Sequence, residues 1–169
     1  MNQNQTDCTK DKIISLIGFI LLCFIVGSIS SVLMQDSLDS WYPNLVKSPH
    51  SPANEVFAPV WAILYTFMGI AIWLIWDEKQ NPLFASAVLA FFVSLIFNVG
   101  WTFSFFFLRN PVLGFADILL LDFTVLLSCF FFYKIKRLAG LLFVPYLMWL
   151  MFATYLNAYI IWANQSMWW

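Results

Sequence analysis

Charge is what this sequence has least of. Only 10% of its 169 residues are Asp, Glu, Lys or Arg, where a soluble domain carries about 25%. The net charge is -1, which gives no electrostatic footprint for nucleic acid. Cys8, Cys23 and Cys129 are odd in number, scattered and without metal-ligand spacing. No disulfide and no metal site is therefore expected, and two of the three lie in apolar stretches, where free cysteine behaves as a small hydrophobe. No internal repeat is evident, so the inverted-repeat architecture of many transporters has no support. Alternating polar and apolar segments of about 10 residues, the mark of a membrane barrel, are missing too.

What remains is oil. The hydrophobic fraction is 62%, more than a core of this size can hide, so lipid must be the solvent. Five apolar blocks reach the roughly 20 residues a bilayer of about 30 Å requires: Ile13–Met34, Phe57–Trp76, Phe84–Leu108, Val112–Tyr133 and Leu138–Ala163. They predict an all-α membrane protein, a single domain over 13–163. A polar tail precedes it at 1–12 and a short tail follows at 164–169. The first block follows Lys10 and Lys12 as a signal peptide would. Its 22 uncharged residues exceed the usual apolar core of such a signal, so it reads as a retained helix.

The connections are unequal. Three are short turns, which make the helices they join antiparallel neighbours. Only residues 35–56 form a long loop, and loops beyond about 12–15 residues tend to be functional lids or linkers. The spaced prolines and "WYPNL" in this one argue for an ordered lid. Basic residues number six on the amino-terminal side (Lys10, Lys12, Lys79, Lys134, Lys136, Arg137) against Lys47 and Arg109 opposite. That bias places the amino terminus in the cytoplasm of a bacterial cell and the loop outside.

Polar groups inside the spans are costly and therefore informative. Asp117 and Asp122 are five residues apart, about 500° around a helix, so they share no face and form no acid–base pair. Each is expected to be a carboxylate pinned by hydrogen bonds to a neighbouring helix. Asn98 and Asn157 are candidate interhelical glue. Asn98, Trp101 and Phe105 fall on one helical face, Trp149, Ala153 and Asn157 repeat every four residues, and Trp61, Tyr65, Met68 and Ile72 form a third stripe. Aromatic stripes with a few amides suit a flat, mostly apolar ligand. Composition alone leaves Trp61, Trp101 and Trp149 open between anchor, packing and pocket wall. Trp73, Trp76, Trp162, Trp168 and Trp169 read as interfacial anchors. Pro145 should kink the fifth helix. Ser86, Ala90 and Ser94 form a small-residue ridge for a close partner, and His50 reads as a solvated loop side chain.

Five segments together carry a resemblance: "WYPNLVKSP" (41–49), "FAPVWAILYTFMGIA" (57–71), "NVGWTFSFF" (98–106), "ADILLL" (116–121) and "VPYLMWLMFATYLNAYIIW" (144–162). The chain resembles the TspO/MBR family of tryptophan-rich sensory and translocator proteins. The resemblance implies a five-helix homodimer whose ligand cavity is closed by the first loop. The implied ligands are protoporphyrin IX, haem and flat drug-like molecules, with no obligatory cofactor. Its implied pocket is Tyr42, Trp61, Tyr65, Asn98, Trp101, Trp149, Ala153 and Asn157, which Phe105 joins by spacing, and its implied dimer contacts fit Ser86, Ala90 and Ser94. An enzyme-like alternative, light- and oxygen-dependent breakdown of protoporphyrin IX, would use Trp61 and Trp149. Small-molecule transport has less behind it. The chain departs from the family pattern at Ser48, Pro49, His50 and Pro52–Ala53. No Lys or Arg follows Tyr159, so sterol handling is not expected.

Overall fold

The computed structural model describes the backbone of residues 3–165 and the side chains of residues 10–165. Its helices are α1 (Gln3–Ser40), α2 (Asn54–Ile75), α3 (Phe84–Thr102), α4 (Pro111–Ile135) and α5 (Arg137–Ala163). All five are long and apolar enough to cross a membrane, and no strand occurs among the described residues. The expected all-α bundle is what forms. Trp168 and Trp169 lie outside the described residues, as does the side chain of Cys8.

Helix α1 is the one whose limits differ most from the sequence reading, which gave it 13–34. No proline or glycine interrupts the chain before Gly18, so the polar start can stay helical. At its other end Gln35, Asp36 and Asp39 are exposed while Ser37 is buried and Leu38 half-buried. An amphipathic helical turn thus carries α1 past the apolar block. It yields to a short 3₁₀ turn at Tyr42–Asn44, where Pro43 has no N–H to extend the ladder. The first loop is therefore 41–53, shorter than the expected 35–56.

The helices are arranged as a ring: α1 lies beside α2, α2 beside α5, α5 beside α4 and α4 beside α3, with α1 touching α3 to close it. Apolar burial drives nothing between helices in lipid, so close approach and hydrogen bonds must hold the ring. Glycine allows the approach of α1 to α2. A Cβ on Gly69 would stand 2.7 Å from the Ile20 Cα, and one on Gly27 would collide with the Tyr65 ring. The half of the bundle away from the loop is filled solidly. Phe91, Phe132 and Phe143 are fully buried there, with the last two ring centroids 4.8 Å apart. The half beneath the loop is where space remains.

Both intramembrane carboxylates face neighbouring helices. Thr154 Oγ1 on α5 donates to Asp122 at 2.7 Å, as expected. The Asp117 carboxylate lies against Gly100 of α3 with its Oδ2 buried and, contrary to expectation, without a hydrogen-bond partner among the described residues. The ridge on α3 is not displayed to a partner. Ser94 is fully buried inside this one chain and Ala90 is 8% exposed, whereas Ser86 is open. Each four-residue step turns about 40°, so a ridge that starts outward at Ser86 has turned about 80° into the bundle by Ser94. The outward face of α3 runs instead through Leu89, Phe92 and Ile96.

A candidate ligand cavity beneath the first loop

A cavity of about 440 Å³ lies under the loop, walled by α1, α2, α3 and α5 and roofed by Tyr42. That is within the range of small-molecule pockets, roughly 300–1,000 Å³. On α2, Trp61 stacks on Tyr65 with centroids 5.3 Å apart and planes at 26°. On α3, Trp101 lies 5.8 Å from Phe105. The end of α3 loosens into a π turn over Phe103–Phe107, with the Leu108 N–H donating to the Phe103 carbonyl at 2.9 Å. The wider turn buries both Phe105 and Phe106, and both line the cavity.

Two amides fix this wall. The Tyr65 hydroxyl donates to Asn98 Oδ1 at 2.9 Å, and Asn98 Nδ2 donates to the Tyr146 hydroxyl at 3.0 Å. One buried side chain thus joins α2, α3 and α5. Trp101 Nε1 donates to Asn157 Oδ1 at 3.3 Å, and Asn157 Nδ2 donates to the Pro111 carbonyl at 2.8 Å. The glue expected of both amides is what they provide, and it orients Trp101 and Tyr65 as well. No Asp, Glu, Lys, Arg or His belongs to the described lining.

Tyr42, Trp61, Tyr65, Asn98, Trp101, Phe105, Ala153 and Asn157 come together around this cavity. Trp149 does not. It packs edge-on against Phe57, centroids 5.7 Å apart, and lines an outward groove between α2 and α5 with Ile63, Pro145 and Met148. The cause is again helical drift: two steps of four residues separate Trp149 from Asn157 by about 80°. Sequence reasoning missed Tyr146, which is fully buried and meets Trp61 edge-on at 6.0 Å. It also missed the α1 wall. Gly27, Ser31, Met34 and Leu38 line the cavity, and their spacing of four, three and four marks one helical face.

The loop is tied to α5. Asn164, just past the helix end, accepts from the Val46 N–H and donates to the Val46 carbonyl, both at 3.0 Å. Ser48 is buried, and its Oγ shares a hydrogen bond with the Tyr155 hydroxyl at 3.0 Å. His50, expected to be merely solvated, places Nδ1 3.2 Å from the same hydroxyl. Ser48 and His50 together form a latch on Tyr155. Burial pushes the Tyr42 phenol above its usual range, with a hydrogen bond from Ser51 acting the other way, so it stays neutral at physiological pH. At the other end of the loop Arg109, at φ 51°, reaches Asp36 at 2.7 Å and Ser40 Oγ at 3.1 Å.

Fold and site define a multi-pass membrane protein built around an aromatic cavity whose described lining carries no charged side chain. The sequence profile of the TspO/MBR family matches residues 19–163, and the chain belongs to that family. It is 37% identical over 155 residues to the tryptophan-rich protein TspO of Chlorobaculum tepidum, covering 90% of this chain and 98% of that one. Identity to the Archaeoglobus fulgidus protein of the same name is 35% over 147 residues, 86% of this chain and 94% of the other. With the human translocator protein it is 33% over 130 residues, 76% of each chain.

Proposed function

We propose that the protein binds a tetrapyrrole such as protoporphyrin IX or haem, or another flat apolar molecule, in the cavity beneath the first loop. The observation that carries this reading is the wall itself. Trp61, Tyr65, Trp101 and Phe105 present four ring systems to one uncharged space, and aromatic faces favour offset-stacked and edge contacts with a flat partner. The lining holds no His and no Cys, so the wall addresses the macrocycle more than any metal at its centre. A dark titration of purified protein with protoporphyrin IX tests it. Saturable quenching of tryptophan fluorescence, weakened in Trp61→Phe, is the expected result, and non-saturable quenching would sink the proposal.

In a second reading, light and oxygen degrade the bound porphyrin and Trp61, which lines the cavity, takes part. Illumination should then bleach the porphyrin band faster with protein than without, and Trp61→Phe should remove the difference while porphyrin stays bound. Equal bleaching of free porphyrin would end that reading. As for placement, the six-to-two bias of basic residues supports an amino terminus in the cytoplasm. Cysteines placed in the 76–83 turn should then resist an impermeant thiol reagent applied to whole cells. A second copy of the chain is the proposed partner, meeting it at the outward face of α3 through Leu89, Phe92 and Ile96. A cross-link between copies through Ile96→Cys tests this, against none through Ser94→Cys.

A further inference from the structure

We infer that ligands reach the cavity sideways from the membrane, through a cleft between α1 and α2, and not by lifting of the loop. The inference rests on the proposed reading of the cavity as a ligand site. Its starting point is where the lining is open. Phe24, Ser28 and Ser31 on α1 and Asn54 and Ala58 at the start of α2 are exposed. The lining residues of α3, α5 and the loop are buried or half-buried, among them Asn98 at 1%, Phe105 at 2% and Ile160 at 3%. The cavity therefore has one open side, and both of its edges are helices that span the membrane.

The geometry of α1 explains the cleft. The pair α1–α2 is closed at Gly69 against Ile20 and at Gly27 against Tyr65. Beyond Gly27 towards the loop, α1 presents Ser31, Met34 and Leu38 to the cavity, and α2 presents Asn54, Ala58 and Ala62. Ser31, Ala58 and Ala62 are small side chains where Tyr65 had filled the gap one turn further in. Helix α1 is also the least embedded, with 11% of its most apolar stretch buried against 33–39% in the other helices. The loop by contrast is fastened. Two hydrogen bonds join Val46 to Asn164, and Ser48 and His50 meet Tyr155. Lifting it would break these together, while parting α1 from α2 at the cleft would break none of them.

The chemistry of the lip states which molecules could use it. Ser28, Ser31 and Asn54 offer hydroxyl and amide groups at the edge of an otherwise apolar passage, and no charge. A flat amphiphile dissolved in the bilayer could slide its apolar body inward and leave uncharged polar substituents at this edge.

The test uses the full chain in liposomes, with Cys8, Cys23 and Cys129 replaced by alanine. One variant carries Ser31→Cys and Ala58→Cys across the cleft; the other carries Ser48→Cys and Tyr155→Cys across the latch. Each pair is bridged by a reducible bifunctional thiol reagent, and protoporphyrin IX arrival is followed by tryptophan quenching. Bridging the cleft should slow arrival at least tenfold and reduction should restore it, while bridging the latch should change the rate less than twofold. The opposite pattern overturns the inference. A second measurement decides the matter even if porphyrin never binds. Spin labels at Ser31→Cys and Ala58→Cys should be relaxed by oxygen and not by a water-soluble nickel chelate, and relaxation by the chelate would show an aqueous opening instead. Absent quenching in the unbridged protein would count against the ligand site alone.

Discussion

The Asn98 side chain offers the most direct test of how the cavity wall is held. Asn98 is 1% exposed and makes two interhelical hydrogen bonds, accepting from Tyr65 and donating to Tyr146. Asn98→Leu keeps the volume and removes both. Interhelical bonds in membrane proteins are worth about 0.6 kcal/mol on average and up to about 1.7, so two of them amount to about 1–3 kcal/mol. The partners left behind are not equivalent. Tyr65 lines the cavity, where its hydroxyl can meet water, whereas Tyr146 is fully buried. An orphaned buried group costs a further 1–3 kcal/mol or so, which brings the expected loss to about 2–6 kcal/mol. Tyr146→Phe added to Asn98→Leu should then recover about 1 kcal/mol, although alone it destabilises. Reversible unfolding in mixed micelles, followed by circular dichroism, measures all three variants. A loss below about 0.5 kcal/mol for Asn98→Leu, or no recovery in the double variant, would refute the reasoning.

Other outcomes follow from the same geometry. Trp149→Phe should change protoporphyrin IX affinity less than twofold in a quenching titration, whereas Trp61→Phe, losing a ring face worth about 0.5–1.5 kcal/mol, should weaken it severalfold. The dimethyl ester of protoporphyrin should bind at least as tightly as the diacid, because the lining has no cation to compensate a buried carboxylate; a tenfold preference for the diacid would contradict the uncharged wall. Tyr155→Phe should speed hydrogen exchange at His50 and Ser51 without affecting α5, as read by mass spectrometry. Ser37→Ala should cost about 1 kcal/mol, since its Oγ donates to the Phe106 carbonyl at 2.6 Å while 2% exposed. Asp36→Ala should cost less than about 0.5 kcal/mol, because the Asp36 side chain of that ion pair is 85% exposed.

The five spans were legible because apolar length in lipid leaves the backbone one solution among helices. Their ends were less so. Nothing in the composition of residues 35–40 shows that a polar stretch stays helical when Ser37 and Leu38 have a partner to cover. Residues within one turn of each other, such as Asn98 and Trp101, kept their common face. Over two turns the drift of a real helix decided, and it removed Trp149 from the cavity and Ser94 from the surface. The latch escaped because it joins Ser48 and His50 to Tyr155, more than a hundred residues away, and a lone histidine in a loop carries no periodic signal. The α1 wall was visible in principle in the spacing of Gly27, Ser31, Met34 and Leu38. Small residues line a cavity by leaving room, so they draw less notice than tryptophans.

The central claim, a flat ligand held beneath the first loop, is tested most directly by the structure of the protein with zinc protoporphyrin IX bound, the zinc located by anomalous scattering. The metal is predicted between Trp61 and Trp101, below Tyr42, with Trp149 making no contact with the ring. Zinc found in the outward groove between Ile63, Met148 and Trp149, with the inner cavity empty, would contradict it.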